Sequence, residues 1–200
     1  MRTPVLDLFR PPVHALCRAY FGLELRGTEH IPVTGPLIIA PNHQTFADPP
    51  LVTIPVRRPI YYMAWNQLFA VPVLGTLIRR LRAFPVEIEM SDSRAVREAV
   101  RLLKAGEALM IFPEGGRTPD GRIQLFKLGA FRLAVAHAAP VLPVTIAGAW
   151  ESWPAGRRLP RPGRVTITYH PPELPRRGPD PREAARDLRD RVVAAISSAL

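Results

Sequence analysis

Residues 37–48 read Leu37-Ile38-Ile39-Ala40-Pro41-Asn42-His43-Gln44-Thr45-Phe46-Ala47-Asp48. Four consecutive apolar residues follow Gly35-Pro36 without alternation, the pattern of a strand buried on both faces. The run ends abruptly in the polar pair Asn42 and His43. Asp48-Pro49-Pro50 then reads as a helix start, with Asp48 as N-cap and proline in the first turn. A buried strand that delivers a polar loop into a helix is the building unit of α/β folds, whose functional groups gather at the carboxyl ends of strands.

The same unit recurs along the chain. Ala108 to Phe112 is a second apolar run, and it leads into the turn Pro113-Glu114-Gly115-Gly116-Arg117. Residues 60–63, residues 83–88, Val141 to Ile146 and Val165 to Tyr169 supply further strands. Helices are expected between them. Residues 66–81 form a strongly apolar one interrupted by Pro72 and Gly75. Ser91-Asp92 caps another that runs to about Lys104, with Val96, Ala99, Val100 and Leu103 at helical spacing, and Gly106 ends it. A third covers 125–138, and Asp180-Pro181 opens a last one through about Ala199. The expected fold is therefore a single α/β domain, a layered α/β/α arrangement with a mixed, mostly parallel sheet flanked by helices. Residues 26–200 form that domain. Residues 1–25 form an amphipathic N-terminal segment, with Val13, Leu16, Tyr20 and Phe21 set among Arg10 and Arg18. It either lies at a membrane interface with its arginines toward headgroups or packs on the core. Pro11-Pro12 is expected to break any helix there.

Composition bounds the function class. A 200-residue chain that is 47% hydrophobic and 22% charged suits one domain with a true core and argues against disorder. Its 24 prolines cluster partly over 154–181, which reads as loop-rich. The formal charge is +10 and the pI about 11.0. Because Lys104 and Lys127 are the only lysines, this charge is mostly arginine, the residue that grips phosphate bidentately. Nucleic acid, an anionic membrane surface and phosphorylated substrates all fit that balance. The chain lacks interleaved aromatics on a basic strand face and any nucleic-acid-binding motif, so no nucleic acid partner is expected. The lone Cys17 excludes an internal disulfide and a cysteine-based metal cluster, and points to a reducing compartment. No run approaches the roughly 18–20 apolar residues that span a bilayer. Asp7, Pro11, Pro12 and His14 interrupt the only signal-peptide candidate. If lipid is the substrate, the expected location is the cytoplasmic face of a membrane, with the protein lying on the lipid rather than crossing it.

Two clusters can carry chemistry. In the first, His43 is suited to proton transfer near neutral pH, and a carboxylate at Nδ1 would fix its tautomer and raise its basicity. Residues five apart on a continuous helix diverge by about 140°, so His43 and Asp48 meet only if the segment bends. Taken alone, the spacing is explained more simply by an N-capping Asp48 beside an incidental loop histidine. In the second cluster, adjacent glycines let the backbone approach a ligand, and Arg117 can clasp a phosphate. Lys127 follows at a helix start. Taken alone, this is a tight turn with solvated charges, and it is no P-loop, since no Gly-Lys-Ser/Thr follows. Serine is confined to positions 91, 93, 152, 197 and 198, none in a Gly-x-Ser-x-Gly turn. With Cys17 far from His43 in sequence, a covalent enzyme intermediate is not expected. No metal-ligand spacing is present, so no metal is expected.

Together the clusters resemble one family. Asn42-His43-x4-Asp48, Phe112-Pro113-Glu114-Gly115-x-Arg117 and Val141-Leu142-Pro143-Val144 match, in order and spacing, the glycerolipid acyltransferases, best known as 1-acylglycerol-3-phosphate acyltransferases. Gly27-Thr28-Glu29-His30-Ile31-Pro32 and Phe126-Lys127-x-Gly129-Ala130 extend the resemblance from about Leu25 to Ala149. It implies the glycerol-3-phosphate acyltransferase-like fold and transfer of a fatty acyl group from acyl-CoA or acyl carrier protein to the free hydroxyl of a lysophospholipid. The implied acceptor is 1-acyl-sn-glycerol-3-phosphate and the product phosphatidic acid. Alternatives are another acceptor (a lyso-ornithine lipid, another lysophospholipid, glycerol phosphate) or a non-catalytic lipid-binding relative. The implied roles are His43 as general base, Asp48 as its orienting carboxylate, and Glu114, Gly115, Gly116, Arg117 and Lys127 as the acceptor site, with Asn42 and Pro143 in support. No cofactor beyond the thioester co-substrate is implied. One departure stands out. The family's second motif ends in arginine, whereas Ala83-Phe84-Pro85-Val86-Glu87-Ile88-Glu89 has none there. Either Arg79, Arg80 or Arg82 substitutes, or the acceptor lacks that contact.

Overall fold

The computed structural model describes residues 4–87, 92–154, 156–176 and 178–200 of the chain. The strands are β1 (Glu24–Arg26), β2 (Leu37–Pro41), β3 (Ile60–Trp65), β4 (Ala83–Val86), β5 (Ala108–Met110), β6 (Val141–Ala147) and β7 (Thr166–Tyr169). The helices are α1 (Pro4–Phe21), α2 (Asp48–Thr53), α3 (Leu74–Arg80), α4 (Ser93–Lys104), α5 (Gly129–Ala136), α6 (Ala149–Ser152) and α7 (Pro181–Ser197).

The seven strands form one sheet in the order β1-β7-β6-β2-β5-β3-β4. The five strands from β6 to β4 run parallel. β7 pairs antiparallel with β6, and β1 parallel with β7, so this edge pair runs the other way. The fold is the mixed, mostly parallel α/β sheet expected from the apolar runs. β2 lies at its centre between β5 and β6, and every residue of β2 is buried. Side chains on one face of the sheet, such as Ile38 and Leu109, pack with Ala99 and Leu102 of α4, Phe131 of α5 and Leu188 and Val192 of α7. On the other face Leu37, Ile39 and Met110 pack with Leu51 and Val52 of α2 and Ala149 of α6, and Cys17 and Phe21 of α1 join them. Burial of such a Leu or Ile contributes about 1.5–3 kcal/mol.

Several boundaries differ from expectation, each for a local reason. α1 runs through Pro11 and Pro12 rather than breaking there. Both prolines are exposed, so water can serve the carbonyls left without an N–H one turn earlier. The apolar stretch 66–81 is no single helix. A 3-10 turn over Asn66–Ala70 is followed by a sharp turn at Val73 (φ 65°, ψ −54°) and then by α3. Gly75 lets α3 close on that 3-10 turn, since a Cβ there would lie 2.3 Å from the Phe69 carbonyl oxygen. The helix placed at 125–138 begins only at Gly129, because the Lys127 N–H is bonded to the Pro113 carbonyl instead. Strand β1 was not anticipated; only its middle residue, Leu25, is half-buried, while Glu24 and Arg26 face solvent. The cap at Asp92 is as expected, accepting from Arg94 and Ala95 N–H, as is the cap at Asp180, accepting from Arg182 N–H. Ser91 and Ile88 lie outside the described residues. Among the described residues no helix is long and apolar enough to cross a membrane.

Candidate active site

The carboxyl end of β2 carries a heavily bonded loop. Asn42 is buried, and its side-chain amide donates to the Ile146 carbonyl (2.9 Å) while its oxygen accepts from Ile146 N–H (2.7 Å). The amide thus continues the β2–β6 pairing for one step beyond Pro41 and Val144. The chain then bends. Gln44 sends its Oε1 to the Ala149 and Trp150 N–H groups at the start of α6, both at 3.0 Å.

This bend brings His43 back onto Asp48. His43 Nδ1 lies 2.8 Å from Asp48 Oδ2. Asp48 is not the N-cap expected from the sequence. Ala47 occupies the cap position and Asp48 is the first helical residue. Its carboxylate turns back into the loop, because donors wait there: Oδ2 also accepts from Gln44 N–H (2.6 Å) and Thr45 N–H (2.8 Å), and Oδ1 from the Thr45 hydroxyl (2.7 Å). Asp48 is 0% exposed, so those four donors replace water entirely. A carboxylate can only accept, so the shared proton sits on Nδ1 and the basic lone pair of the neutral ring is on Nε2. The ring is 17% exposed and stacks on Phe112, centroids 4.0 Å apart. Among the described residues no protein group bonds Nε2, which leaves that nitrogen for a substrate.

The glycine turn after β5 closes the site from the neighbouring strand. Glu114 Oε1 accepts from His43 N–H (2.7 Å) and Oε2 from Gln124 N–H (2.9 Å), while the His43 carbonyl accepts from Thr118 N–H (2.8 Å). Both oxygens of Glu114 are thus engaged by main chain. The side chain ties the two loops together and does not point at a ligand. Burial pushes its carboxyl up to about 7, against the pull of the two N–H groups, and the charge of Asp48 raises it further.

This sets a sign for stability against pH. A carboxyl with a raised folded pKa contributes most below its unfolded value near 4.5, and the contribution is lost as pH rises through about 7. From pH 5 to pH 8 this group is expected to weaken folding by about 2–3 kcal/mol. Urea unfolding of wild type and Glu114→Gln across that range checks this. The variant should show a flatter profile, and parallel profiles would remove the burial argument.

Gly115 has φ +75°, which favours glycine, and its missing Cβ leaves room for the flexible end of Lys127, whose Nζ would lie 2.5 Å from a Cβ there. The Lys127 side chain therefore lies across the turn, although the residue precedes α5 rather than opening a helix. Gly116 has open space around it and no positive φ, so nothing in the protein demands glycine there. Arg117 is half-buried with its guanidinium 3.5 Å above the Phe46 ring. Burial lowers its pKa, offset by the Asp48 charge. Among the described residues it bonds no carboxylate, so its donors are open to an anion. Pro143 sits within β6 opposite Ala40, and its carbonyl accepts from His170 N–H; it props the strand beneath the loop and does not reach the site.

Thus His43, Asp48, Glu114, Gly115 and Arg117 come together, with Lys127 across the turn. Two of the three arginines offered for the missing second-motif contact are engaged elsewhere. Arg82 precedes Ala83, which is in register through Tyr62 and Met110 with Ile39, four residues before His43. Its guanidinium lies over Tyr61, and that of Arg79 over Phe69. No sequence pattern assigns a role to Gln44, Thr45, Phe46 or Phe112. Their partners are either other parts of the same loop or residues some seventy to a hundred positions away, and no periodicity reports either.

A family model described as Acyltransferase matches residues 22–147. A chloroplastic 1-acyl-sn-glycerol-3-phosphate acyltransferase of Brassica napus is 28% identical over 159 residues, covering 76% of this chain and 45% of its own length. The 1-acyl-sn-glycerol-3-phosphate acyltransferase of Bacillus subtilis (strain 168) is 29% identical over 154 residues, covering 76% of this chain and 73% of its own length. The crystal structure of the 1-acyl-sn-glycerophosphate (LPA) acyltransferase PlsC from Thermotoga maritima superposes with a TM-score of 0.75 at 32% identity, covering 88% of this chain and 71% of that one. The chain spans about half the length of the plant and algal relatives it matches (45%, 44% and 54%).

Proposed function

This chain belongs to the acyltransferase family, and from that premise we propose that it moves a fatty acyl group from a thioester to the free hydroxyl of a lysophospholipid at a membrane surface. The observation that carries the reading is the 2.8 Å contact between His43 and Asp48 beside a turn bearing Arg117 and Lys127.

The chemistry follows from the groups in place. The acceptor hydroxyl gives its proton to His43 Nε2 as its oxygen attacks the thioester carbonyl. Asp48 holds the ring and stabilises the imidazolium that forms. Collapse of the tetrahedral intermediate breaks the C–S bond, and the leaving thiolate takes the proton back. No acyl-enzyme and no cofactor beyond acyl-CoA or acyl carrier protein enters this reading. Arg117 and Lys127 supply positive charge for the acceptor phosphate. Glu114 acts through the loops it clamps rather than on the acceptor.

The acceptor favoured by the relatives' names is 1-acyl-sn-glycerol-3-phosphate, giving phosphatidic acid. The absent second-motif arginine favours a second reading within the same chemistry, an acceptor whose phosphate is gripped from one side only, such as another lysophospholipid. A lipid-binding relative without activity would use Asp48 to build the loop but would have no need of its contact to His43.

Incubation of the purified protein with radiolabelled acyl-CoA and a panel of lysolipids tests the proposal. Labelled diacyl product is expected, with phosphate-bearing acceptors preferred; no transfer to any acceptor, from CoA or from acyl carrier protein, overturns it. Arg117→Ala should raise the acceptor KM by about 10–100-fold with little change in kcat, measured with a phosphorylated acceptor. An unchanged KM would remove Arg117 from the phosphate site.

A further inference from the structure

The segment following β3 is unusual in what it leaves in solvent. Trp65, Val71, Val73, Leu74 and Leu77 are all exposed, Val73 by 83% and Leu77 by 51%. Only Phe69 and Gly75 of the 3-10 turn and α3 are buried, so this stretch is no core helix. The Leu74 N–H bonds the Pro72 carbonyl at 2.7 Å, which with the positive φ at Val73 makes a γ-turn of the strained kind. A β-branched side chain is thereby held outward from the protein. Large apolar residues grouped in this way mark an interaction surface.

The sheet places this surface beside the active site. Tyr62 is in register with Met110, and Met110 with Ile39. Trp65 lies three residues beyond Tyr62 and His43 four beyond Ile39, so both emerge at one edge of the sheet at similar height. The charge around the patch is mostly positive: Arg79 and Arg80 end α3 on the surface and Arg82 follows, against the Glu87 carboxylate, which accepts from the Asn66 amide.

We propose that Trp65, Val71, Val73, Leu74 and Leu77 form the face by which the protein docks on an anionic phospholipid bilayer, its apolar side chains entering the headgroup boundary and the flanking arginines meeting lipid phosphates. The inference rests on the reading that the acceptor is a membrane lysophospholipid, since it turns the His43 edge toward the lipid. Tryptophan suits the interface, arginine reaches headgroups from an apolar base, and basic residues near an anionic leaflet add to binding. A second copy of the chain fits less well, because it would bring the α3 arginines of both copies together.

The test uses the full chain with sucrose-loaded vesicles of phosphatidylcholine and phosphatidylglycerol, comparing wild type with the double variant Val73→Glu and Leu77→Glu. Both positions are exposed, so an unchanged melting temperature is expected. Wild type should co-sediment, and the variant should bind about 30-fold more weakly or worse. Both should transfer equally to a water-soluble short-chain lysolipid. Equal vesicle binding by the two proteins overturns the proposal, as does failure of wild type to bind. Loss of self-association with vesicle binding retained would make the face an interface between copies and also overturns it. Sedimentation is read without catalysis, so a protein inactive on every acceptor would refute the proposed reaction and leave this result standing.

Discussion

His43→Ala is expected to lower acyl transfer by about 10²–10⁴-fold, the usual contribution of a positioned general base, with the fold intact. The acceptor hydroxyl is a poor nucleophile at neutral pH. Among the described residues of the site, the imidazole aimed by Asp48 is the base left free at Nε2, since Glu114 has both oxygens on main-chain N–H groups. Removal of the ring forfeits its stacking on Phe112 and one of the four donors to Asp48. The Gln44 and Thr45 N–H groups and the Thr45 hydroxyl remain, so Asp48 stays satisfied and the melting temperature should fall by only a few degrees. Initial rates with saturating acyl-CoA and calorimetry on the same sample read both quantities. Wild-type turnover in the variant would refute the base assignment, and collapse of the fold would show the ring to be structural.

Asp48→Asn is expected to be nearly as damaging to turnover, by about 10³–10⁴-fold, and more damaging to stability. Asparagine keeps the shape but presents an NH₂ to a site built of donors. One amide oxygen cannot accept from His43 Nδ1, the Gln44 and Thr45 N–H groups and the Thr45 hydroxyl, so at least one buried donor is stranded. Each stranded donor costs about 1–3 kcal/mol. Imidazole facing an amide can also flip its tautomer, leaving Nε2 protonated and useless as a base. Denaturant midpoints should shift downward while Arg117→Ala leaves them unchanged. A fully active Asp48→Asn protein would mean the carboxylate serves only to fold the loop.

The two strands that hold the site were readable because they sit in the middle of a parallel sheet. Leu37 to Ala40 and Ala108 to Met110 are covered on both faces, and burial on both faces writes an unbroken apolar run. Asp92 and Asp180 were readable because capping is a local bargain between a side chain and N–H groups two or three residues on. Asp48 looked the same in sequence and behaves otherwise. The loop before it offers more donors than the helix behind it, and that competition is visible only once Asn42 and Gln44 have pinned the bend to β6 and α6. The extent of the last helices depended in the same way on distant bonds: the Lys127 N–H is taken by Pro113, so α5 starts late. Motif spacing does not show that Glu114 bonds the main chain of two loops, because a carboxylate serving two loops and one serving a ligand have the same spelling. The exposed stretch around Val73 was misread as one helix, since apolar content alone does not say whether the cover is protein or something else.

Crystals of the protein with 1-acyl-sn-glycerol-3-phosphate and no acyl donor would test the central geometry most directly. The free hydroxyl is expected within about 3.2 Å of His43 Nε2, with the phosphate held by Arg117 and Lys127. A phosphate bound elsewhere, or a hydroxyl out of reach of that nitrogen with the lipid fully ordered, would contradict it.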